Sequence, residues 1–250
     1  VKAQAAALGK TNFFIFGEFY CDRGRASTMV GRGKEPSMQG NPNWFISDTF
    51  TMDGGINYPL YWSFFQPAVK DQVNGNLQNL QESYWSDWYA FDHYKPTAGE
   101  NRYYQLNFYN NHDQWRMSVA PDGLKKTGLG SAIIAFWPGI PLFYYGDEQG
   151  FCTYGTALDG WSREDMMTSL AWNDVPSVTS PNPARGDNFN MTHGAYQYVQ
   201  KCMNLRQTYP ALRVTDYVIE RWKQPNNMNG IFAFSRIWGG QDDWALVVFN

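Results

Sequence analysis

The feature that most constrains this chain is a recurring alternation. A short strand-like run is followed at once by polar groups, and helical or loop-like stretches lie between such runs. Residues 12–16 form one such run, closed by Gly17 and followed by Glu18. Gln105 to Asn110 leads into Asn111-His112-Asp113, and Ile140 to Tyr145 into Gly146-Asp147-Glu148. Apolar runs without polar alternation suit strands covered on both faces, as in parallel sheets. A further strand is expected to end near Gly55-Ile56-Asn57-Tyr58-Pro59-Leu60, because Pro59 cannot continue a central ladder. Between the runs, 61–92 carries Leu77, Leu80, Tyr84, Trp88 and Phe91 at three- and four-residue steps, and 124–137 is mostly apolar. Residues 195–209 put Tyr198, Cys202, Leu205 and Tyr209 on one helical face, and Pro210 stops the helix. The polar, Gly-rich stretches 22–43, holding Gly31-Arg32-Gly33-Lys34, and 151–192 read as loops. Asp216 to Trp222, Gly230 to Trp238 and Trp244 to Phe249, with turn signals at Asn226-Asn227 and Gly239-Gly240, predict an antiparallel β unit. The order of alternating strands and helices, then strands alone, predicts an α/β fold with a parallel sheet. In barrels of this kind the working residues stand at the C-terminal ends of the strands.

Charge narrows the partners. Lys and Arg are scattered and the net charge is −3, which argues against nucleic acid, whose binders carry a basic face. The chain holds 11 Trp, 16 Tyr and 17 Phe. Flat rings suit stacking on the apolar faces of sugars, although filling the core is the commoner use. Cys21, Cys152 and Cys202 are too few and too far apart for a disulfide framework or a zinc site. Asn190-Met191-Thr192 is a glycosylation sequon that serves only in a secretory pathway. No run has the length of a membrane helix. The first residues carry neither Met nor a signal peptide and the last fall within an apolar strand pattern, so a piece of a longer protein is expected.

Taken by themselves, the polar strand ends admit two readings each. Glu18 is either an exposed loop carboxylate or a desolvated general acid with a raised pKa. Asn111-His112-Asp113 either caps a following helix or furnishes a site, and His112 could equally be a satisfied core histidine.

Together the segments resemble the α-amylase family. Phe13-Phe14-Ile15-Phe16-Gly17-Glu18 is similar to the family's strand-five segment. Phe108-Tyr109-Asn110-Asn111-His112-Asp113, with Arg116 three residues on, is similar to its strand-seven segment. Gly139-Ile140-Pro141-Leu142-Phe143-Tyr144-Tyr145-Gly146-Asp147-Glu148-Gln149 is similar to its strand-eight segment. Arg163-Glu164-Asp165-Met166 and Tyr209-Pro210-Ala211-Leu212-Arg213 match later landmarks. Gly17-Glu18 followed by Gly31-Arg32-Gly33-Lys34-Glu35-Pro36, and Gly146-Asp147-Glu148-Gln149 followed by Phe151, are similar to the amylase-like domain of α-1,3-glucan synthases.

The resemblance implies a (β/α)₈ TIM barrel with strands five to eight over 1–213, and the start of an antiparallel β domain over 214–250. It implies a retaining glycoside hydrolase or transglycosylase acting on α-glucosidic linkages of α-glucans. Glu18 would be the general acid/base, and Asp113 would stabilise the transition state. His112 and Asn111 would bind sugar hydroxyls. Arg116 would join them or support Asp113, unless it pairs at the surface. Tyr145 and Glu148 would be structural, and no role is implied for His93 or His193. The nucleophilic Asp and its neighbouring Arg would lie upstream of Val1, on strand four. Any calcium would be held mainly by residues outside this chain. The remaining half of the barrel would be required for folding and activity, an α-glucan or oligosaccharide would be the substrate, and the setting would be secreted or cell-surface. The alternative is a non-catalytic, glucan-binding or structural barrel, against which the presence of both Glu18 and Asp113 speaks.

Overall fold

The computed structural model describes residues 1–11, 13–30, 52–70, 79–80, 82–83, 86, 105–119, 122–152, 189–213, 217–223, 231–238 and 243–249. The expected loops therefore fall largely outside the described residues, as do Leu77, Tyr84, Trp88, Phe91, His93, the segment Arg163–Met166 and the two turn signals near the end.

Four short strands follow one another in parallel. β1 (Phe16–Gly17) pairs with β2 (Gly54–Gly55), with Phe16 opposite Gly54. A bridge from Ile56 to Leu106 carries the pairing to β3 (Leu106–Asn107). β3 then pairs with β4 (Ile140–Pro141), with Leu106 opposite Ile140. The succession is the one the sequence pattern predicts. The strands are shorter than the apolar runs that mark them, and side chains complete the pairing. The Asp53 backbone N–H donates to the Ile15 carbonyl at 2.7 Å. Its carboxylate accepts from the Ile15 N–H, also at 2.7 Å, and pairs with Lys2. One residue thus takes both polar groups of Ile15 at the entrance to β1. The glycines of β1 and β2 give room to Phe19: a Cβ on Gly17 or Gly55 would lie 2.6 or 2.5 Å from its ring. Phe19 is buried there.

The helices cover this sheet. α1 is Lys2–Ala7. α2 is Arg23–Thr28, capped by the Asp22 side chain, which accepts from the Arg25 N–H. α3 (Tyr58–Leu60) is capped by the Asn57 side chain, whose Oδ1 accepts from the Leu60 N–H, and it runs on as a wider π-helical stretch, Tyr61–Lys70. Pro59 therefore sits in the first turn of a helix, where its missing N–H costs nothing. α4 (Gly123–Phe136) buries Ile133, Ile134 and Ala135. α5 (Gly194–Thr208) is capped by His193, whose Nδ1 accepts from the Ala195 N–H, and a 3-10 turn, Pro210–Leu212, follows. The apolar face expected of α5 is only partly covered: Tyr198, Leu205 and Tyr209 are exposed. They look onto a groove of ≈ 620 Å³ against Leu129, Phe136 and Trp244. The buried residues of α5 are Cys202 and Arg206. Arg206 reaches inward because its guanidinium satisfies the Ala135 and Gly139 carbonyls, each at 2.6 Å.

The final strands, β5 (Tyr217–Lys223), β6 (Phe232–Trp238) and β7 (Asp243–Phe249), form an antiparallel sheet in that order. One apolar core joins it to the helices, running from Tyr58, Phe64 and Phe108 through Trp137 to Phe232, Phe234 and Phe249. Trp137 meets Phe234 edge-on at 5.0 Å. Buried Arg236 donates to the carbonyls of Phe136 at 2.9 Å and Leu212 at 2.8 Å. Two arginines therefore serve the orphan carbonyls at the end of α4, which would otherwise be buried without donors.

Replacing Arg206 by Met removes donors from two carbonyls, and each buried acceptor left without one costs about 1–3 kcal/mol. The denaturant midpoint of the full-length protein with Arg206→Met is expected to fall by the equivalent of about 2–4 kcal/mol. Lys201→Met, on an exposed position of the same helix, is expected to change it by less than about 0.5 kcal/mol. Equal effects would show that the carbonyl contacts of Arg206 carry no stability.

Candidate active site

Glu18 leaves the sheet directly after β1, and Asn111, His112 and Asp113 lie beyond β3. A ligand atom from each of Glu18, His112 and Asp113 lies within 4.8 Å of the others. Glu18 is exposed and the other two are half-buried. His112 Nε2 stands 3.4 Å from Asp113 Oδ2. Asn111, His112 and Asp113 do not cap a helix, since the next helical turn begins only at Met117. Instead the buried Asn111 folds back, its Oδ1 accepting from the Asp113 N–H at 2.9 Å. That bond fixes the turn on which Asp113 is presented.

Tyr58 was not a site candidate from the sequence, yet its fully buried side chain reaches the same place. Its hydroxyl donates to Glu18 Oε1 at 2.6 Å and accepts from Asn111 Nδ2 at 2.8 Å. Burial, and then the bond to Glu18, push the phenol well above its ordinary pKa, so it stays a donor. The ring is held edge-on by Phe108 at 5.0 Å and by Tyr20 at 4.8 Å. Tyr20, two residues past Glu18, also meets Trp62 at 4.9 Å and is 65% exposed. An aromatic face thus flanks the carboxylates. The sequence signal for Tyr58 is its place in a strand-end segment, where Pro59 next to it signals only a strand break.

Arg116 is not at the surface and opens no face to a ligand: it is 0% exposed. Its Nη1 donates to Asp147 Oδ1 at 2.9 Å and to the Tyr145 carbonyl at 2.8 Å, and its guanidinium lies 4.7 Å from the Tyr144 ring centre. Asn110 Nδ2 donates to the same Asp147 oxygen at 3.1 Å. The arrangement ties the turn after β4 to the segment that carries Asn111, His112 and Asp113. Gly146, at φ 84°, makes that turn, and a side chain there would strike the Phe151 ring. Glu148 is half-buried, and its carbonyl lies 3.1 Å from His193 Nδ1.

Among the described residues, Glu18, His112 and Asp113 form the group of carboxylate and imidazole side chains that converges tightly enough for a metal ion. Calcium takes six to eight oxygen ligands. A set of two carboxylates and one imidazole does not fit it. No helix among the described residues is long and apolar enough to cross a membrane.

Comparison with known proteins agrees with this geometry. Residues 43–216 match the family model for the α-amylase catalytic domain, and the chain belongs to that family. It is 29% identical over 197 residues to the cell wall α-1,3-glucan synthase mok13 of Schizosaccharomyces pombe, an alignment covering 69% of this chain and 8% of that protein. It is 27% identical over 264 residues to an α-amylase of Streptomyces lividans, covering 99% of this chain and 25% of that one. The chain thus spans a quarter or less of these relatives' lengths. Among solved structures, the α-amylase of H. orenii superposes with a TM-score of 0.62 at 16% identity, over 98% of this chain and 45% of that chain. A γ-cyclodextrin glucanotransferase of alkalophilic Bacillus clarkii superposes with a TM-score of 0.58 at 21% identity, over 100% of this chain and 29% of that chain. The fold is accordingly that of the TIM barrel.

Burial raises the Asp147 carboxyl from 3.8 to about 6, outweighing Arg116, which lowers it. The folded pKa lies above the unfolded one, so between about pH 4 and 6 the folded chain binds the proton more readily. Stability from this group is full below that window and is lost as pH rises through it. Asp147→Asn, which keeps the side chain uncharged at every pH, is expected to abolish that part of the pH dependence. Thermal unfolding of both proteins from pH 4 to 7 measures the difference, and parallel curves would refute the assignment.

Proposed function

We propose that this protein cleaves or transfers α-glucosidic bonds of α-glucans by retaining double displacement, with Glu18 as the general acid/base. The observation that carries the reading is the convergence of Glu18, His112 and Asp113 within 4.8 Å beyond the C-terminal ends of parallel strands, where barrels of this class work. Glu18 protonates the glycosidic oxygen as the first bond breaks, then takes a proton from the incoming water or sugar hydroxyl. Asp113 faces the distorted sugar, and its charge favours the oxocarbenium-like transition state. His112 beside it donates to a sugar hydroxyl. Asn111 and Arg116, both buried, serve by holding that segment in place. Tyr20 offers a flat face for a neighbouring sugar ring.

The four parallel strands correspond in this reading to strands five to eight of eight, with residues 1–213 forming the second half of the barrel and 214–250 opening a β domain. The carboxylate nucleophile then belongs to the family's fourth strand, in the part of the barrel outside these residues. Similarity to both an α-amylase and a glucan synthase fits a site that hydrolyses or transglycosylates according to the acceptor.

In the full-length protein, Glu18→Gln is expected to lower kcat/KM by about 10²–10⁴ on α-glucans, whose leaving groups need a proton. An activated aryl α-glucoside needs little protonation, and its kcat/KM should change by only a few-fold. Asp113→Asn should depress both substrates, since stabilising the sugar cation does not depend on the leaving group. Equal loss on both substrates with Glu18→Gln would remove Glu18 from the acid role.

A further inference from the structure

We propose that Tyr58 is a positioning residue for the acid/base carboxylate, and that Tyr58 and Asn111 couple Glu18 mechanically to the Asp113 turn. The inference rests on the reading of Glu18 as the acid. Glu18 is exposed and follows a strand of two residues, so its own backbone does little to fix a flexible side chain. The Tyr58 hydroxyl supplies the fixing bond, at 2.6 Å to Oε1. A phenol carries one proton. Because Asn111 Nδ2 donates to the same oxygen at 2.8 Å, that proton is directed at Glu18. Asn111 Oδ1 in turn accepts from the Asp113 N–H at 2.9 Å. A continuous string of three hydrogen bonds therefore runs from the Glu18 carboxylate to the backbone of Asp113 through two buried side chains. Tyr58 can bear this tension because its ring is clasped by Phe108 and Trp62 and its backbone begins a capped helix. The bond occupies Oε1 and leaves Oε2 to face the glycosidic oxygen. Tyr58 touches no reacting atom and acts through Glu18.

The test uses the full-length enzyme with Tyr58→Phe, which keeps the ring and its packing. On α-glucan, kcat/KM should fall about 10- to 100-fold, the range expected when a catalytic group is displaced by a fraction of an ångström to one ångström. The activated aryl α-glucoside should be spared to within a few-fold, the same leaving-group signature as Glu18→Gln. In the Glu18→Gln background, Tyr58→Phe should have no further effect on α-glucan, because the group it positions is already disabled. Asn111→Asp supplies an independent arm. It offers the phenol proton a second carboxylate and should reproduce the signature even if Tyr58→Phe folds poorly. If Glu18→Gln lacks the signature, the acid assignment itself fails. If Glu18→Gln shows it while both Tyr58→Phe and Asn111→Asp reduce the two substrates equally, or if Tyr58→Phe multiplies the loss in the Glu18→Gln background, Tyr58 is structural and the proposal is overturned.

Discussion

Parallel pairing is the constraint from which the rest of this molecule follows. Phe16 lies opposite Gly54, Ile56 opposite Leu106 and Leu106 opposite Ile140, so the four parallel strands run in one direction and end on the same side. Residues far apart in the chain, Glu18 and Asp113 among them, then need only short extensions to meet. Parallel strands demand helical crossovers on their outer face. These crossovers bury aromatic residues such as Phe64, Phe65 and Trp137. The exposed ring of Tyr20 stands out against that background because it lies beside the carboxylates.

A second theme is how buried charge is spent. Arg116, Arg206 and Arg236 are all buried, yet each meets carbonyl oxygens, and Arg116 meets a carboxylate as well. A guanidinium presents a planar fork of donors, which suits the crowded ends of helices and turns where several carbonyls point inward. The burial cost is then shared over several bonds. Arg206 still shows it, with a pKa lowered to about 10 chiefly by desolvation.

The sequence carried the succession of elements and the convergence of Glu18 with His112 and Asp113 because both follow from local pattern. An unbroken apolar run ending in a carboxylate is visible in one dimension, and the parallel order does the rest. Three features were not visible. Tyr58 joins the site only because α3 begins where β2 ends, a junction set by the Asn57 cap. Arg116 looked like a surface or ligand residue because a lone arginine in a polar stretch gives no sign of the Asp147 that waits 31 residues later. The face of α5 was assigned by counting apolar residues, whereas Arg206 went inward to satisfy carbonyls of α4 and its following turn. In each case a long-range polar contact overrode a local pattern.

The hold of Asp53 on Ile15 has a consequence for how this chain could fail. A strand of two residues has almost no register of its own, and sliding by a single residue turns every side chain to the opposite face. Asp53 removes that freedom by engaging both the N–H and the carbonyl of Ile15, three residues ahead of Glu18. A carboxylate outside the Glu18, His112 and Asp113 group thereby decides on which face of the sheet Glu18 emerges. Damage there would not displace Glu18 by degrees. It would divide the molecules into two populations, one correctly threaded and one inverted.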